Sequence, residues 1–264
     1  MSKNSMSKIG RYSISQNFLT SKPLLFRITA LSSINQKDTV IEIGTGKGHL
    51  SHVLAQQCKT LYTTEIDKEL YLQAQRRLAD SPNVHLCHGD FLQTTLPAQK
   101  PYKVFANPPF SITAEILKKL TQAANPPTEM WLVLEKGAAK RYLGKPAETV
   151  QSLLMKPRWN MKIVYYFRRE DFHPCPSVNT VLVHFFRKPQ ADVPLLQWNQ
   201  YERFVRHTLQ YGLQGGKCLL SKRQVSQALR QAKCPPFDSN GLMLYVQWLC
   251  LFRCWLSLSG AAMK

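Results

Sequence analysis

Thr39-Val-Ile-Glu-Ile-Gly-Thr-Gly-Lys-Gly-His49 decides the fold. Five residues rich in β-branched side chains run into glycines at alternate positions. His-Leu-Ser-His-Val-Leu-Ala follows with apolar residues at helical spacing. A strand that turns through glycines straight into a helix is the opening unit of an α/β sheet. Glycines there let the backbone turn sharply and come close to a ligand. The spacing is G-x-G-x-G, and His49 stands where the dinucleotide fingerprint would have its third glycine. No Gly-Lys-[Ser/Thr] closes the loop, so it is not a Walker A motif.

The alternation continues on both sides. β-rich runs at 39–43, 60–66, 83–87, 102–106 and 130–134 alternate with helical stretches after the first, second and fourth, which predicts a mainly parallel sheet covered by helices. Two later runs, 162–167 and 179–186, have no helix between them and are expected to pair antiparallel at a sheet edge. Residues 187–194 carry two prolines and read as a linker. Beyond it, 198–213, 221–233 and 240–256 look helical. The expected organisation is a basic arm (1–14), an α/β domain (15–188) and a small all-helical C-terminal domain (189–264).

Composition sets the outer bounds. The 264 residues are 44% hydrophobic and 10% aromatic, enough for one full-sized core and too much for a disordered chain. Lys and Arg number 35 against 16 Asp and Glu, a formal charge of +19 that points to a polyanionic partner. The surplus is uneven. Residues 21–100 hold nine bases and seven acids, whereas 101–188 hold fourteen and six, and the first twenty residues hold Lys3, Lys8 and Arg11 with no acid. The near-neutral part suits a small ligand and the basic parts suit nucleic acid. Seven unpatterned cysteines without a Cys-x-x-Cys pair fit free thiols in a reducing cytoplasm rather than a zinc site, so no metal is expected. The N-terminal residues lack the apolar stretch of a signal peptide. The apolar run Leu242 to Ser259 is interrupted by Gln247 and Arg253 and is expected to pack as a helix on its own domain.

Four motifs follow four successive strands, where doubly wound sheets bind ligands. In the first, Glu42 ahead of Gly44 and Gly46 disfavours a pyrophosphate. It suits S-adenosylmethionine, which ends in a zwitterion and carries a cationic sulfonium; a plain glycine turn is the other reading. Glu65, at the end of the second strand, can accept ribose hydroxyls; nearby Asp67 could compete or cap a helix at Lys68. Asp90, in Gly89-Asp90-Phe91, could accept from an adenine amino group or simply hold a turn. Asn107-Pro108-Pro109-Phe110 ends the fourth strand. A side-chain amide oxygen and a backbone carbonyl can together accept from an exocyclic NH2, which aims its lone pair outward. Phe110 offers a flipped base a stacking surface.

These residues, in this order, resemble the motifs of S-adenosylmethionine-dependent amino-group methyltransferases. Ser15-Gln16-Asn17-Phe18-Leu19 and Asp171-Phe172-His173-Pro174-x-Pro176-x-Val178-Asn179 narrow the resemblance to rRNA adenine N6-methyltransferases. It covers about Ser15 to Phe186. Gly-Thr-Gly-Lys-Gly-His, Glu-Lys-Gly-Ala-Ala-Lys-Arg (135–141) and Phe-His-Pro-x-Pro resemble the Erm macrolide-resistance branch, which acts on 23S rRNA. They differ from the housekeeping small-subunit dimethylases, which usually have Gly-Pro-Gly in the loop. Pro108 stands where both branches usually carry an aliphatic residue and resembles the loop of DNA adenine methyltransferases or glutamine methyltransferases; a housekeeping 16S rRNA dimethylase, then a DNA adenine methyltransferase, are the alternative readings.

The resemblance implies a Rossmann-like methyltransferase sheet with S-adenosylmethionine as cofactor. It implies that Asn17 and Leu19 close over the cofactor while Gly44 and Gly46 hold its methionine end. Glu65 would hold the ribose and Asp90 the adenine. Asn107 and Pro108 would hold the target N6, with Phe110 and Phe172 sandwiching the base. Lys136, Lys140, Arg141, Arg168 and Arg169 are candidate phosphate contacts. The expected partner is 23S rRNA, naked or in a ribosomal precursor. Macrolide, lincosamide and streptogramin B resistance would follow. No membrane partner is expected, and nothing demands a dimer, so a monomer is expected.

Overall fold

The computed structural model describes residues 17–213, 216–234 and 242–261. Lys3, Lys8 and Arg11, with Ser15 and Gln16, lie outside them. Among the described residues, those up to Ala139 together with Met161–Arg187 form one compact unit. Lys140–Asn160 and the residues from Lys188 onward form another.

The first unit is built on a mixed sheet. Its strands are β2 (Thr39–Ile43), β3 (Thr60–Glu65), β4 (Val84–His88), β5 (Lys103–Ala106), β6 (Glu129–Glu135), β7 (Trp159–Tyr166) and β9 (Thr180–Arg187), in the order β4-β3-β2-β5-β6-β9-β7. The pairs from β4 through β6 are parallel, with Ile41 beside both Tyr62 and Val104. β9 runs antiparallel to β6, and the two late strands are neighbours, with β7 at the edge. A two-residue strand, β1 (Phe18–Leu19), pairs antiparallel with β8 (Phe172–His173), joining Leu19 to Phe172. This is the Rossmann-like arrangement expected from the strand–helix alternation.

Helices pack where the sequence places apolar stripes. α1 (Lys22–Thr29) buries Leu25 and Ile28, and α2 (His49–Ala55) buries Leu50, Val53 and Leu54. Both join Val40, Leu61 and Trp131 in one core. α3 (Lys68–Arg77) starts on Asp67, whose carboxylate accepts from the Glu69 and Leu70 amides. α4 (Thr113–Thr121) buries Ile116, Leu117 and Leu120. The connection from β4 to β5 holds only a 3-10 turn, Phe91–Gln93, in place of a helix.

The second unit is helical. α5 (Lys136–Leu143) runs into it, followed by α6 (Val150–Met155), α7 (Trp198–Tyr211), α8 (Lys222–Gln231) and α9 (Tyr245–Ala261). Residues 140–160 join the C-terminal helices because Leu153 shares their core. Its carbonyl also accepts from the buried Tyr201 hydroxyl at 2.9 Å. The apolar run from Leu242 becomes α9, whose Trp248, Leu251 and Phe252 are buried in this core. No helix among the described residues is long and apolar enough to cross a membrane.

Phe252 sits edge-on to Tyr201 at 5.0 Å and 5.8 Å from Phe204. Phe252→Ala is expected to cost about 3–5 kcal/mol. Urea denaturation followed by tryptophan fluorescence checks this, since Trp248 and Trp255 belong to the same core.

Candidate active site

The carboxyl ends of β2, β3, β4 and β5 open onto one cavity. Its walls include Asn17, Leu19, Gly44, Gly46, Glu65, Asp90, Asn107, Pro108 and Phe110. Nine of the ten catalytic or cofactor-binding residues expected from sequence therefore meet at one place. The space among the walls, counting the open mouth, is about 930 Å3.

The glycine loop is fixed from below. The Gly44 and Thr45 amides donate to the Thr64 carbonyl at 3.0 and 3.2 Å. Gly46 has φ +56, and a Cβ there would lie 2.9 Å from the Phe18 ring. Both the left-handed backbone and the close approach require glycine. Its amide donates to Glu65 Oε2 at 2.7 Å, and the Asp67 amide donates to Glu65 Oε1 at 2.9 Å. Glu65 is buried, so the two N–H donors compensate a carboxylate that has lost most of its water. Burial still holds its pKa above the ordinary value. Asp67 turns away and caps α3.

Glu42 is 1% exposed. Its Oε2 accepts from Ser51 Oγ at 2.5 Å and from Thr63 Oγ1 at 2.8 Å. Thr63 spends its proton on Glu42, so the 2.6 Å contact with Thr45 makes Thr45 the donor. Glu42 Oε1 has no hydrogen-bond partner among the described residues. Desolvation raises the Glu42 pKa to about 8, against two hydroxyl hydrogen bonds that lower it.

Asp90 accepts from the Leu92 amide at 2.8 Å, starting the 3-10 turn. Asn107 Nδ2 donates to the Asn17 carbonyl at 2.7 Å. A carbonyl partner can only accept, so it fixes the amide's orientation and leaves Oδ1 as its acceptor. Pro108 is buried and lacks an N–H, so its backbone can offer only a carbonyl. Phe110 is half-buried, with part of its ring against the core.

Phe172 corrects an expectation. It is 2% exposed, with its ring edge-on to Phe167 at 5.1 Å, and it does not line the cavity. Its ring offers no face to a base. It supports the cavity wall through its pairing with Leu19.

Lys136 lies over the Tyr166 ring at 5.7 Å, Arg168 is exposed, and Arg169 donates from Nε to the Pro176 carbonyl. Lys140 and Arg141 are exposed on the part of α5 that belongs to the second unit. Sequence reasoning passed over Phe18, Lys47 and His49 as cavity residues. Lys47 lies over the Phe18 ring at 5.6 Å. Burial, with Arg77 and Lys47 nearby, lowers the His49 pKa. Their signal was adjacency to the two motifs that β1 and the glycine loop bring together. No group of three or more metal-ligating side chains occurs among the described residues.

Comparison with known proteins now bears on this geometry. The family model described as ribosomal RNA adenine dimethylase matches residues 8–214. The chain belongs to that family. It is 34% identical to an rRNA adenine N-6-methyltransferase of Limosilactobacillus reuteri, over 90% of this chain and 94% of the relative. It is 31% identical to the ribosomal RNA small subunit methyltransferase A of Geobacter sulfurreducens, over 78% of this chain and 80% of that one. Among solved structures, the 23S rRNA methyltransferase ErmE superposes with a TM-score of 0.79 at 23% identity, covering 90% of this chain and 99% of that one. The chain is thus an enzyme of the rRNA adenine N6-methyltransferase family.

Glu42 gives a test that does not depend on activity. The folded chain holds its proton up to about pH 8, whereas an ordinary glutamate loses it near 4.5. Between those values the folded state binds the extra proton, so Glu42 makes stability fall as pH rises. Glu42→Gln keeps the shape without the titration. Its unfolding free energy is expected to gain on the wild type steadily from pH 5 to 8, by at most about 1.4 kcal/mol per pH unit. Urea titrations at several pH values measure it; a constant difference would show that Glu42 does not titrate in this range.

Proposed function

We propose that this chain methylates N6 of one adenine in 23S rRNA, using S-adenosylmethionine, and thereby confers macrolide, lincosamide and streptogramin B resistance from the cytoplasm. The observation that carries the methyl acceptor is the Asn107 amide. The hydrogen bond to the Asn17 carbonyl occupies its Nδ2 and leaves Oδ1 as the acceptor; with the carbonyl of Pro108, the next residue in the cavity wall, that makes two acceptors for an exocyclic amino group.

The residues present fit the cofactor. Glu42, in the cavity wall, has a buried oxygen without a partner among the described residues, where a cationic amine would favour the ionised carboxylate. Gly46 brings the backbone in where a Cβ would meet Phe18. Gly44 and Gly46 would hold the methionine end, Glu65 the ribose, Asp90 the adenine, and Asn17 and Leu19 the mouth. Glu65 has one N–H on each oxygen, and each oxygen keeps acceptor capacity for a ribose hydroxyl. Bound there, S-adenosylmethionine supplies a methyl group on an electrophilic sulfonium.

The protein's part is positioning and exclusion of water. Asn107 Oδ1 and the Pro108 carbonyl accept the two N6 hydrogens. That draws the nitrogen lone pair out of the ring's π-system and aims it at the methyl group. Phe110 stacks on the base. No general base is required, because the proton lost after transfer comes from a strongly acidic N-methyl ammonium-like centre. Orientation and fixed dipoles carry the rate.

The choice of 23S rRNA is supported by the Erm-like segments at 44–49, 135–141 and 172–176. The shorter match to the small-subunit enzyme than to the Limosilactobacillus relative weighs against the small-subunit reading. Lys136, Lys140, Arg141, Arg168 and Arg169 supply phosphate contacts in this reading, and the chain acts as a monomer without metal. Expressed in a macrolide-sensitive bacterium, the chain is expected to raise the erythromycin inhibitory concentration manyfold. Asn107→Ala should abolish the rise while S-adenosylmethionine still binds in calorimetry. No rise, with labelled methyl entering 16S rRNA, would move the assignment to the small subunit.

A further inference from the structure

The sheet opens a second time, on the face opposite α2. Register explains why. Val40, Leu61 and Val84 alternate onto the covered face and enter the core with α2. Ile41, Tyr62 and His85 form a row across β2, β3 and β4 on the other face. A helix between β4 and β5 would cover that row, but the connection is a 3-10 turn and a loop. The result is a groove whose floor holds Tyr62 and His85 and whose rim holds Lys37, Lys59 and Lys100.

The groove's chemistry is specific. Tyr62 is 45% exposed, unusual for a tyrosine in the middle strand of three. Its ring stacks on His85, centroids 4.8 Å apart and planes within 19°. The two rings stand side by side across β3 and β4, each covering one face of the other, and Tyr62 keeps nearly half of its surface exposed. Lys37, Lys59 and Lys100 are exposed. The acid in the groove, Asp38, is already paired with Lys103 at 2.9 Å. The lining carries a positive excess and a series of threonines, including Thr39, Thr60 and Thr94. None of Tyr62, His85 and the three lysines lines the cavity around Asn107.

An aromatic platform flanked by lysines is the recognition chemistry of single-stranded nucleic acid. Every base has a π-face, and the ammonium groups follow the phosphates.

We propose that this groove holds a single-stranded stretch of the RNA substrate, one base stacked on Tyr62 and the backbone tracking Lys37, Lys59 and Lys100. The proposal rests on the RNA-methylating function above. It adds a second anchoring point, away from the reacting adenine, that sets substrate affinity rather than the chemical step.

The test uses the full chain and transcribed 23S and 16S rRNA. Methyl transfer is measured for the wild type, Tyr62→Ala, Tyr62→Phe and the double variant Lys37→Glu with Lys59→Glu. Tyr62→Ala is expected to raise KM for RNA about tenfold and to leave kcat within about twofold. Tyr62→Phe, which keeps the ring, should keep the wild-type KM. The double variant should also raise KM, and the slope of log affinity against log salt should become shallower by about 1.4. Thermal melts and calorimetry with S-adenosylmethionine establish that each variant is folded. Because the lysines are exposed, the double variant decides the matter if Tyr62→Ala is unstable. Wild-type transfer with unchanged KM in the variants overturns the groove and leaves the activity standing; a protein partner at this face would give that result. Absence of transfer to either RNA by the wild type overturns the activity, and the groove falls with it.

Discussion

Parallel pairing constrains where this chain can put its chemistry. β2, β3, β4 and β5 hydrogen-bond side by side in one direction, so their carboxyl ends must leave the sheet along one edge. Each exit is short and stiff. A glycine loop leaves β2, Glu65 ends β3, an aspartate-capped turn follows β4, and a proline pair follows β5. Residues far apart in sequence are thereby held as neighbours on a rigid frame. Preorganised groups cost little to reorient when a reaction demands it.

Two buried carboxylates share that edge in different states. Glu65 receives two backbone N–H groups, one per oxygen. Glu42 receives hydroxyls on one oxygen only, and burial lifts its pKa to about 8. Burial is the leading cause of the upward shift in both, opposed by hydroxyls at Glu42 and by backbone amides at Glu65. A backbone amide presents a fixed dipole, while a hydroxyl can rotate and is itself shared with a neighbour, as Thr63 is with Thr45.

Most of the frame was legible in the amino-acid sequence because strand and helix periods differ. The run at 39–43 is β2 to the residue, and 198–213 contains all of α7. α1, α5 and α6 were not read; all three lie outside the strand–helix alternation between residues 39 and 134. The site residues were legible where glycine, proline and acid cluster after a strand. Phe172 was misread because its motif shows only that an aromatic is needed. Burial against Phe167 depends on β8 pairing with β1, a contact between segments more than 150 residues apart. The groove at Tyr62 was not read, because a tyrosine in a strand looks like any β-former whether its face is covered or exposed.

The placement of β9 has a consequence for synthesis. It lies between β6 and β7 and runs antiparallel to β6. Until Thr180–Arg187 leaves the ribosomal tunnel, β6 keeps a bare edge and β7 has no neighbour in the sheet. β8, emerging just before it, is also needed to tie down the segment whose Asn17 carbonyl orients Asn107. A nascent chain therefore carries its glycine loop and proline turn long before they are held in working geometry. The enzyme that modifies ribosomal RNA stays unassembled while it is still attached to a ribosome, and its exposed β6 edge is where a stalled or truncated product would aggregate.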